Sequence, residues 1–361
     1  MTLFDSPAFD GHEGVHAFHD EKTGLKAIIA IHSTARGPAC GGTRMWPYES
    51  AEAALDDVLK LSKGMTYKNA VADLELGGGK SVIIGDSRTM KSQALFEAFG
   101  RAVDTLGGRY YAAEDVGVSP EDLVATRKMS RYVVGLEGFA AGSGDPSPVT
   151  AEGVFRGLKL ACTHAFGRDD LTGVRVAVQG VGHVGGYLCD KLHAAGARLT
   201  VTDVNQDTLN AVAGRTGAEV VAPDAIYDVD AQVFAPCALG GAINEKTLPR
   251  LKAKVIAGAA NNQLASPAIG RELYAKGLLY APDYVINGGG IINVAAEVRA
   301  LEQGAAFDPQ WVEGKLSRLM ETLDEVLTRS KSENRPTHEV ADEIALERIN
   351  AAKQKRDAAQ A

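Results

Sequence analysis

The chain has 361 residues, 45% hydrophobic and 23% charged, with 38 Lys and Arg against 46 Asp and Glu, a formal net charge of -8. That length exceeds one ordinary hydrophobic core, so two domains are expected. The acidic balance leaves no basic stripe for nucleic acid or an anionic membrane, and no run approaches the ~20 apolar residues needed to span a bilayer.

The opening MTLFDSPAFDGHEG carries acids where a secretory signal has basic residues and an apolar core. Cys40, Cys162, Cys189 and Cys237 are scattered, with no C-x-x-C pair, as expected of reduced thiols in the cytoplasm. His12-Glu13-Gly14-Val15-His16 spells the H-E-x-x-H zinc pattern. That chemistry needs a helix, which Gly11 and Gly14 oppose, and no third ligand stands out, so no metal is expected.

Strand-like and helix-like stretches then alternate, which predicts an α/β architecture. Residues 25–32 read as a strand, 50–63 as a helix, 82–84 as a strand and 92–106 as a helix. Another helix opens at Ser119, with Pro120 in its first position and Glu121 and Asp122 in its first turn. Glu49, Glu52, Asp56 and Asp57 read as a solvated helix face. Residues 135–148 (GLEGFAAGSGDPSP) interrupt any helix and mark the domain junction. A long helix follows from Thr150 to about 166, then a second α/β run over 174–293, and a helical, charged end from 309 with no further strand.

Residues 65–81, MTYKNAVADLELGGGKS, set Lys68 and Lys80 among small and apolar neighbours. An ammonium there is costly unless an anion meets it or it loses its proton. Gly77, Gly78 and Gly79 remove every β-carbon before Lys80, so a ligand or another backbone can come close. One lysine is expected to hold a carboxylate and the other to do chemistry as an uncharged amine.

Residues 175–179 (RVAVQ) form a short apolar strand, followed by Gly180-Val181-Gly182-His183-Val184-Gly185, an apolar helix over 184–195, and a second strand over 198–202 ending at Asp203. In the dinucleotide fold the first glycine makes the turn, the second admits the pyrophosphate and the third packs helix on strand. The terminal acid takes the adenosine ribose hydroxyls. Because a carboxylate repels a 2′-phosphate, Asp203 favours NAD over NADP.

GPACGGTRMWPY (37–48), KGMTYKNA (63–70), GGGKSVIIGD (77–86), AAEDVG (112–117), GSGDPSPVTAEGV (142–154) and INGGGIINVAAE (286–297) together resemble the amino-acid dehydrogenase superfamily, and within it the leucine dehydrogenases. The resemblance implies two domains: an N-terminal α/β catalytic and oligomerisation domain over 1–140 and a Rossmann-type NAD-binding domain over 141–330. A helical segment, 331–361, packs on the first domain or a neighbouring subunit. It implies reversible NAD-dependent oxidative deamination of an apolar L-amino acid, in branched-chain catabolism, by a homo-oligomer between dimer and octamer.

Residue by residue, Lys68 matches the lysine that holds the substrate carboxylate, Lys80 the catalytic lysine and Asp115 the acid–base carboxylate. Gly41 and Gly42 match a backbone turn touching the substrate. Thr150, Ala238 and Asn262 match groups at the cofactor, Asn262 also at the substrate. The side-chain pocket maps to Cys40, Ala113, Ile291 and Val294, none charged, which opposes glutamate and favours a branched aliphatic chain. Cys40 is smaller than the large apolar residue usual in leucine dehydrogenases, and Gly288 stands where alanine is expected. An aromatic substrate such as phenylalanine therefore stays an alternative, and a catalytically silent dinucleotide sensor a second one.

Overall fold

A computed structural model describes residues 3–360. Met1, Thr2 and Ala361, at the ends of segments read above, lie outside the described residues. The chain divides into two units. One holds the residues up to Asp145, Asn293–Val312 and those from Ala345 on; the other holds Pro146–Ile292 and Glu313–Ile344.

The first unit contains β1 (Gly14–Asp20), β2 (Leu25–Ser33), β3 (Ala39–Trp46), α1 (Ala51–Val71), β4 (Gly77–Ile84), α2 (Gln93–Asp104), β5 (Tyr110–Glu114) and α3 (Pro120–Arg127). Its sheet runs β1-β2-β4-β3-β5, with β2 antiparallel to β1 and β4, and β3 parallel to β4 and β5. Successive residues of a strand face opposite sides. On β2, Ala27, Ile29 and Ile31 therefore join Leu95, Phe96 and Phe99 of α2, together with Leu123 of α3. The intervening Ile28 and Ala30 join Ala54, Val58 and Leu59 of α1. Both faces are covered, and each large side chain so buried contributes about 1.5–3 kcal/mol.

Two elements run further than the sequence predicts. Helix α1 starts on Ser50, whose side chain accepts from Ala53 N, and continues past 63 to Val71. Burial of Thr66, Asn69 and Ala70 carries it across Gly64. Strand β4 begins at Gly77 instead of 82, because its glycines are paired on both sides, Gly79 with Ile31 and Gly78 with Cys40. A β-carbon on Gly78 would lie 2.1 Å from Thr66 N, and one on Gly79 2.7 Å from the Tyr110 ring. The backbone that the glycine run admits is the chain's own helix α1.

The second unit begins with α4 (Ser147–Phe166), which starts ahead of the predicted 150 and ends on Gly167 at φ 69. There follow β6 (Arg175–Gln179), α5 (His183–Ala194), β7 (Arg198–Thr202), α6 (Gln206–Thr216), β8 (Glu219–Val220), β9 (Val233–Pro236), β10 (Val255–Ile256), α7 (Pro267–Ala275), β11 (Leu279–Tyr280) and α8 (Asp283–Ile286). The parallel sheet runs β11-β10-β9-β6-β7-β8. Chain order reverses between β6 and β9, and in such doubly wound sheets ligands bind beyond the strands' carboxyl ends at that point.

Helix α9 (Gly289–Gln303) crosses from the second unit's residues into the first's, and α10 (Pro309–Glu333) and α11 (Thr337–Gln360) complete the chain. Within the second unit Arg156 of α4 grips Glu313 of α10 with two bonds of 2.6 and 2.9 Å. Within the first, Arg348 of α11 donates to the carbonyls of Ala70 and Val71 at the end of α1, where a cation suits the helix dipole. Among the described residues no helix is long and apolar enough to cross a membrane.

Candidate active site

In the first unit Lys80 lies on β4 with its side chain 9% exposed, and its Nζ stands 2.7 Å from Asp115 Oδ2. Asp115 follows β5 in a tight turn. Met45 N donates to Val116 O at 2.9 Å, Val118 N donates to Asp115 O at 3.0 Å, and Gly117 takes φ 81. A β-carbon on Gly117 would meet Met45 O at 2.1 Å, so a side chain there is excluded. The turn thus aims Asp115 at Lys80. Burial alone would raise the Asp115 carboxyl, but the charges of Lys80 and then Arg44 outweigh it and hold the group below its ordinary range. Lys80, expected to act as an uncharged amine, thus has a carboxylate within hydrogen-bonding distance to take its proton.

Lys68 sits half-buried in the last turn of α1, beside Asn69, whose Nδ2 donates to Gly77 O at 2.6 Å. Gly41 and Gly42 leave no room for side chains. A β-carbon would meet Gly79 O at 1.9 Å from Gly41, and Asp115 Cβ at 2.8 Å from Gly42. Cys40 and Ala113 are buried on β3 and β5. Burial, with Glu297 nearby, pushes the Cys40 thiol up to about 12, so it acts as a small neutral group. Val294, on α9, is 7% exposed.

Sequence reasoning missed several polar groups around this pair. Arg44 donates from Nε to Asp115 Oδ2 at 3.3 Å and from Nη1 to Asp57 Oδ2 at 2.9 Å, and Tyr48 Oη donates to the same Asp57 oxygen at 2.5 Å. This corrects the reading of Asp57 as part of a solvated acidic face. Its neighbour Asp56 does pair outward with Lys60, at 2.6 Å. Tyr110 is fully buried and donates to Gly41 O at 2.8 Å, with Ser81 Oγ 3.0 Å away and donating to Thr43 Oγ1 at 2.9 Å. Glu297 is also fully buried, its Oε2 accepting from Gly135 N and from Ser143 N and Oγ, and burial raises its carboxyl. Arg44, Thr43, Tyr48, Ser81 and Glu297 had only their place inside the quoted motifs as a signal, and Tyr110 had none. His12 precedes β1 in a loop, its Nε2 3.1 Å from Leu59 O and 3.0 Å from Ser62 Oγ.

In the second unit the glycine turn joins β6 to α5. Gly180 takes φ 91, and a β-carbon there would lie 2.8 Å from Ala238. One on Gly185 would lie 2.1 Å from Gly180 O, which is the helix–strand packing role. Gly182, by contrast, has nothing within 4 Å of that position and caps α5 without a side-chain bond. Open space against bare helix N–H groups fits a pyrophosphate. His183 is exposed, Val184 half-buried and Val181 buried. Asp203 closes the turn: Oδ2 accepts from Val181 N at 2.7 Å and Oδ1 from Asn205 N at 2.8 Å.

Ala238 and Asn262 are exposed, and Asn262 holds a left-handed φ of 51, unusual outside glycine. Its carbonyl accepts from Gly241 N at 2.7 Å. Thr150 Oγ1 bonds back to Pro146 O at 2.9 Å, and a β-carbon on Gly290 would approach that oxygen to 2.8 Å. Ile291 is 8% exposed on α9. A β-carbon on Gly288 would meet Leu319 at 3.0 Å, so alanine there would crowd α10.

Residues 12–132 match the family described as Glu/Leu/Phe/Val dehydrogenase, dimerisation domain, and residues 200–357 match Glutamate/Leucine/Phenylalanine/Valine dehydrogenase. Leucine dehydrogenase of Geobacillus stearothermophilus is 49% identical over 356 residues, 99% of this chain and 95% of that protein. Leucine dehydrogenase of Bacillus subtilis (strain 168) is 50% identical over 356 residues, covering 99% and 96%. The crystal structure of L-tryptophan dehydrogenase from Nostoc punctiforme superposes with a TM-score of 0.82 at 42% identity, covering 95% of this chain and 96% of that one. With both units built as these matches require, the chain belongs to the glutamate/leucine/phenylalanine/valine dehydrogenase family and is an amino-acid dehydrogenase acting on a CH–NH2 group through a nicotinamide cofactor.

Proposed function

We propose that the chain catalyses reversible, NAD-dependent oxidative deamination of a branched-chain L-amino acid, leucine foremost, to its 2-oxo acid and ammonia. The observation that carries this reading is the buried Lys80–Asp115 pair at 2.7 Å. It supplies an acid and a base at one point, and a structural ion pair in so apolar a setting is a weak source of stability. The leucine dehydrogenases at 49% and 50% identity support leucine as the substrate. Uncharged Cys40, Ala113, Val294 and Ile291 support an aliphatic side chain.

Bound cofactor supplies one function, that of hydride acceptor for the α-carbon. The chain's residues do the rest. Lys68 binds the substrate carboxylate as its counter-charge. Asp115 takes a proton from the reacting amine through Lys80. When water adds to the resulting iminium carbon, Lys80 removes a proton from it. That proton then goes to the nitrogen, and Lys80, free again, takes the hydroxyl proton as the C–N bond breaks, so that ammonia leaves as the carbonyl forms. In the reverse direction the Lys80 ammonium acts first as acid. Asp203, with its negative charge at the end of β7, supports NAD over NADP. The words dimerisation domain in the family description for residues 12–132 support a homo-oligomer. The four cysteines, none in a disulfide, support a cytoplasmic location.

The test is formation of NADH with a panel of L-amino acids. Leucine, valine and isoleucine are expected to give the highest kcat/KM, with NADP a poor substitute. A preference for an aromatic amino acid would move the assignment to the second reading, which the tryptophan dehydrogenase relative at 42% identity and the small Cys40 support. Silence with every amino acid would leave a dinucleotide sensor. Lys68→Ala is expected to raise KM for the amino acid by about 10²-fold, the worth of a charge-assisted pair, with a smaller effect on kcat. An unchanged KM would remove Lys68 from the carboxylate.

A further inference from the structure

Arg44 sits where the reaction pair meets the rest of the first unit. On β3 it stands opposite Val82 of β4, two residues from Lys80 and so on the same sheet face. Helix α1 covers that face, with Val82 packed against Ala54, Val58 and Leu59. The guanidinium is a rigid fork that keeps its charge. One arm reaches Asp115 Oδ2, the oxygen that also takes Lys80, and the other reaches Asp57 on α1. With the Arg44 side chain 24% exposed and Asp115 21%, solvent screens the contact only partly.

We infer that Arg44 is a positioning residue for the reaction: anchored on Asp57, it holds Asp115 Oδ2 in line with Lys80 and sets how readily that pair gives up and takes back its proton. This rests on the catalytic reading of Lys80 and Asp115 above. A bracket tying β3 to α1 had no need to share the one carboxylate oxygen that Lys80 uses.

The groups facing the pair fix the sign of the effect. Asp115 faces Lys80 from β4, Arg44 from β3 and the Val116 backbone N–H. Tyr110 of β5 adds a phenol that burial keeps neutral. Arg44 in turn faces Asp57 of α1 and Tyr48. The charge of Arg44 acts on the Asp115 carboxyl, already held below its ordinary range. Removing the positive charge of Arg44 makes protons harder to lose, and removing the negative charge of Asp57 makes them easier to lose.

The experiment compares the pH dependence of kcat/KM for Arg44→Gln, Arg44→Lys, Asp57→Asn and the wild-type enzyme. Arg44→Gln is expected to move the acid limb up by about one pH unit and to lower kcat about tenfold at the optimum, with KM for the amino acid little changed. Arg44→Lys restores the limb but not all of kcat, because the ammonium cannot span both carboxylates. Asp57→Asn moves the limb the other way, and it carries the test alone should Arg44→Gln fail to fold. Limbs that stay put in the variants that fold, with losses that follow thermal stability, would reduce Arg44 to a bracket. Lys80→Ala serves as the reference. If it keeps turnover, the reading of the pair itself fails; if it is dead while the Arg44 and Asp57 variants match wild type, only this inference falls.

Discussion

Lys80→Ala is expected to lower kcat by about 10³-fold, the usual worth of a positioned acid–base group, while cofactor binding stays intact. The separation follows from where the groups reside. Lys80 belongs to β4 of the first unit, whereas the glycine turn and Asp203 belong to the second. The fold should survive the change, because Asp115 keeps Arg44 as a partner and is not left as an unpaired buried charge. Steady-state kinetics with leucine and an NADH binding titration on the same preparation give the two numbers. Turnover within tenfold of wild type would rule out the assigned role.

Gly78→Ala should damage the first unit through a single added methyl. Its β-carbon would fall 2.1 Å from both the backbone N and the hydroxyl of Thr66, and 2.5 Å from Thr66 Cα. Backbone on both sides leaves no flexible side chain to yield, so α1 has to lift off β4. Overpacking of this kind costs about 3 kcal/mol, which lowers Tm by roughly 6–12 °C. Because Lys68 rides on the same turn of α1, KM for the amino acid should rise as well. Gly64→Ala, on the same helix with nothing within 4 Å, is the control and should gain up to about 1 kcal/mol. Equal melting temperatures for the two variants would contradict the close approach of helix and strand.

Where structure follows from neighbours in sequence, the reading was close. Strands β6 and β7 coincide with the predicted 175–179 and 198–202, because apolar alternation and the glycine turn are local signals. Ser92 caps its helix through Leu95 N, and the backbone N of Ser119 takes Asp122 in a capping box. The glycine run before Lys80 was harder. Glycine has low strand propensity, so nothing nearby in the chain announces that residues 77–79 are held between β2 and β3.

Sequence alone determined the α/β class, the glycine turn between β6 and α5 with an acid at the end of β7, and two lysines set in surroundings that ask for an anion. Those are properties of spacing and residue type. Only the tertiary structure decided that Asp57 meets Arg44 and Tyr48 while Asp56 pairs with Lys60 of its own helix, and that Arg44 joins two carboxylates from β5's turn and α1. The contacts of Arg44 join residues on different elements. Which of two adjacent carboxylates meets a cation from another element depends on what packs against the helix, and no local pattern carries that information.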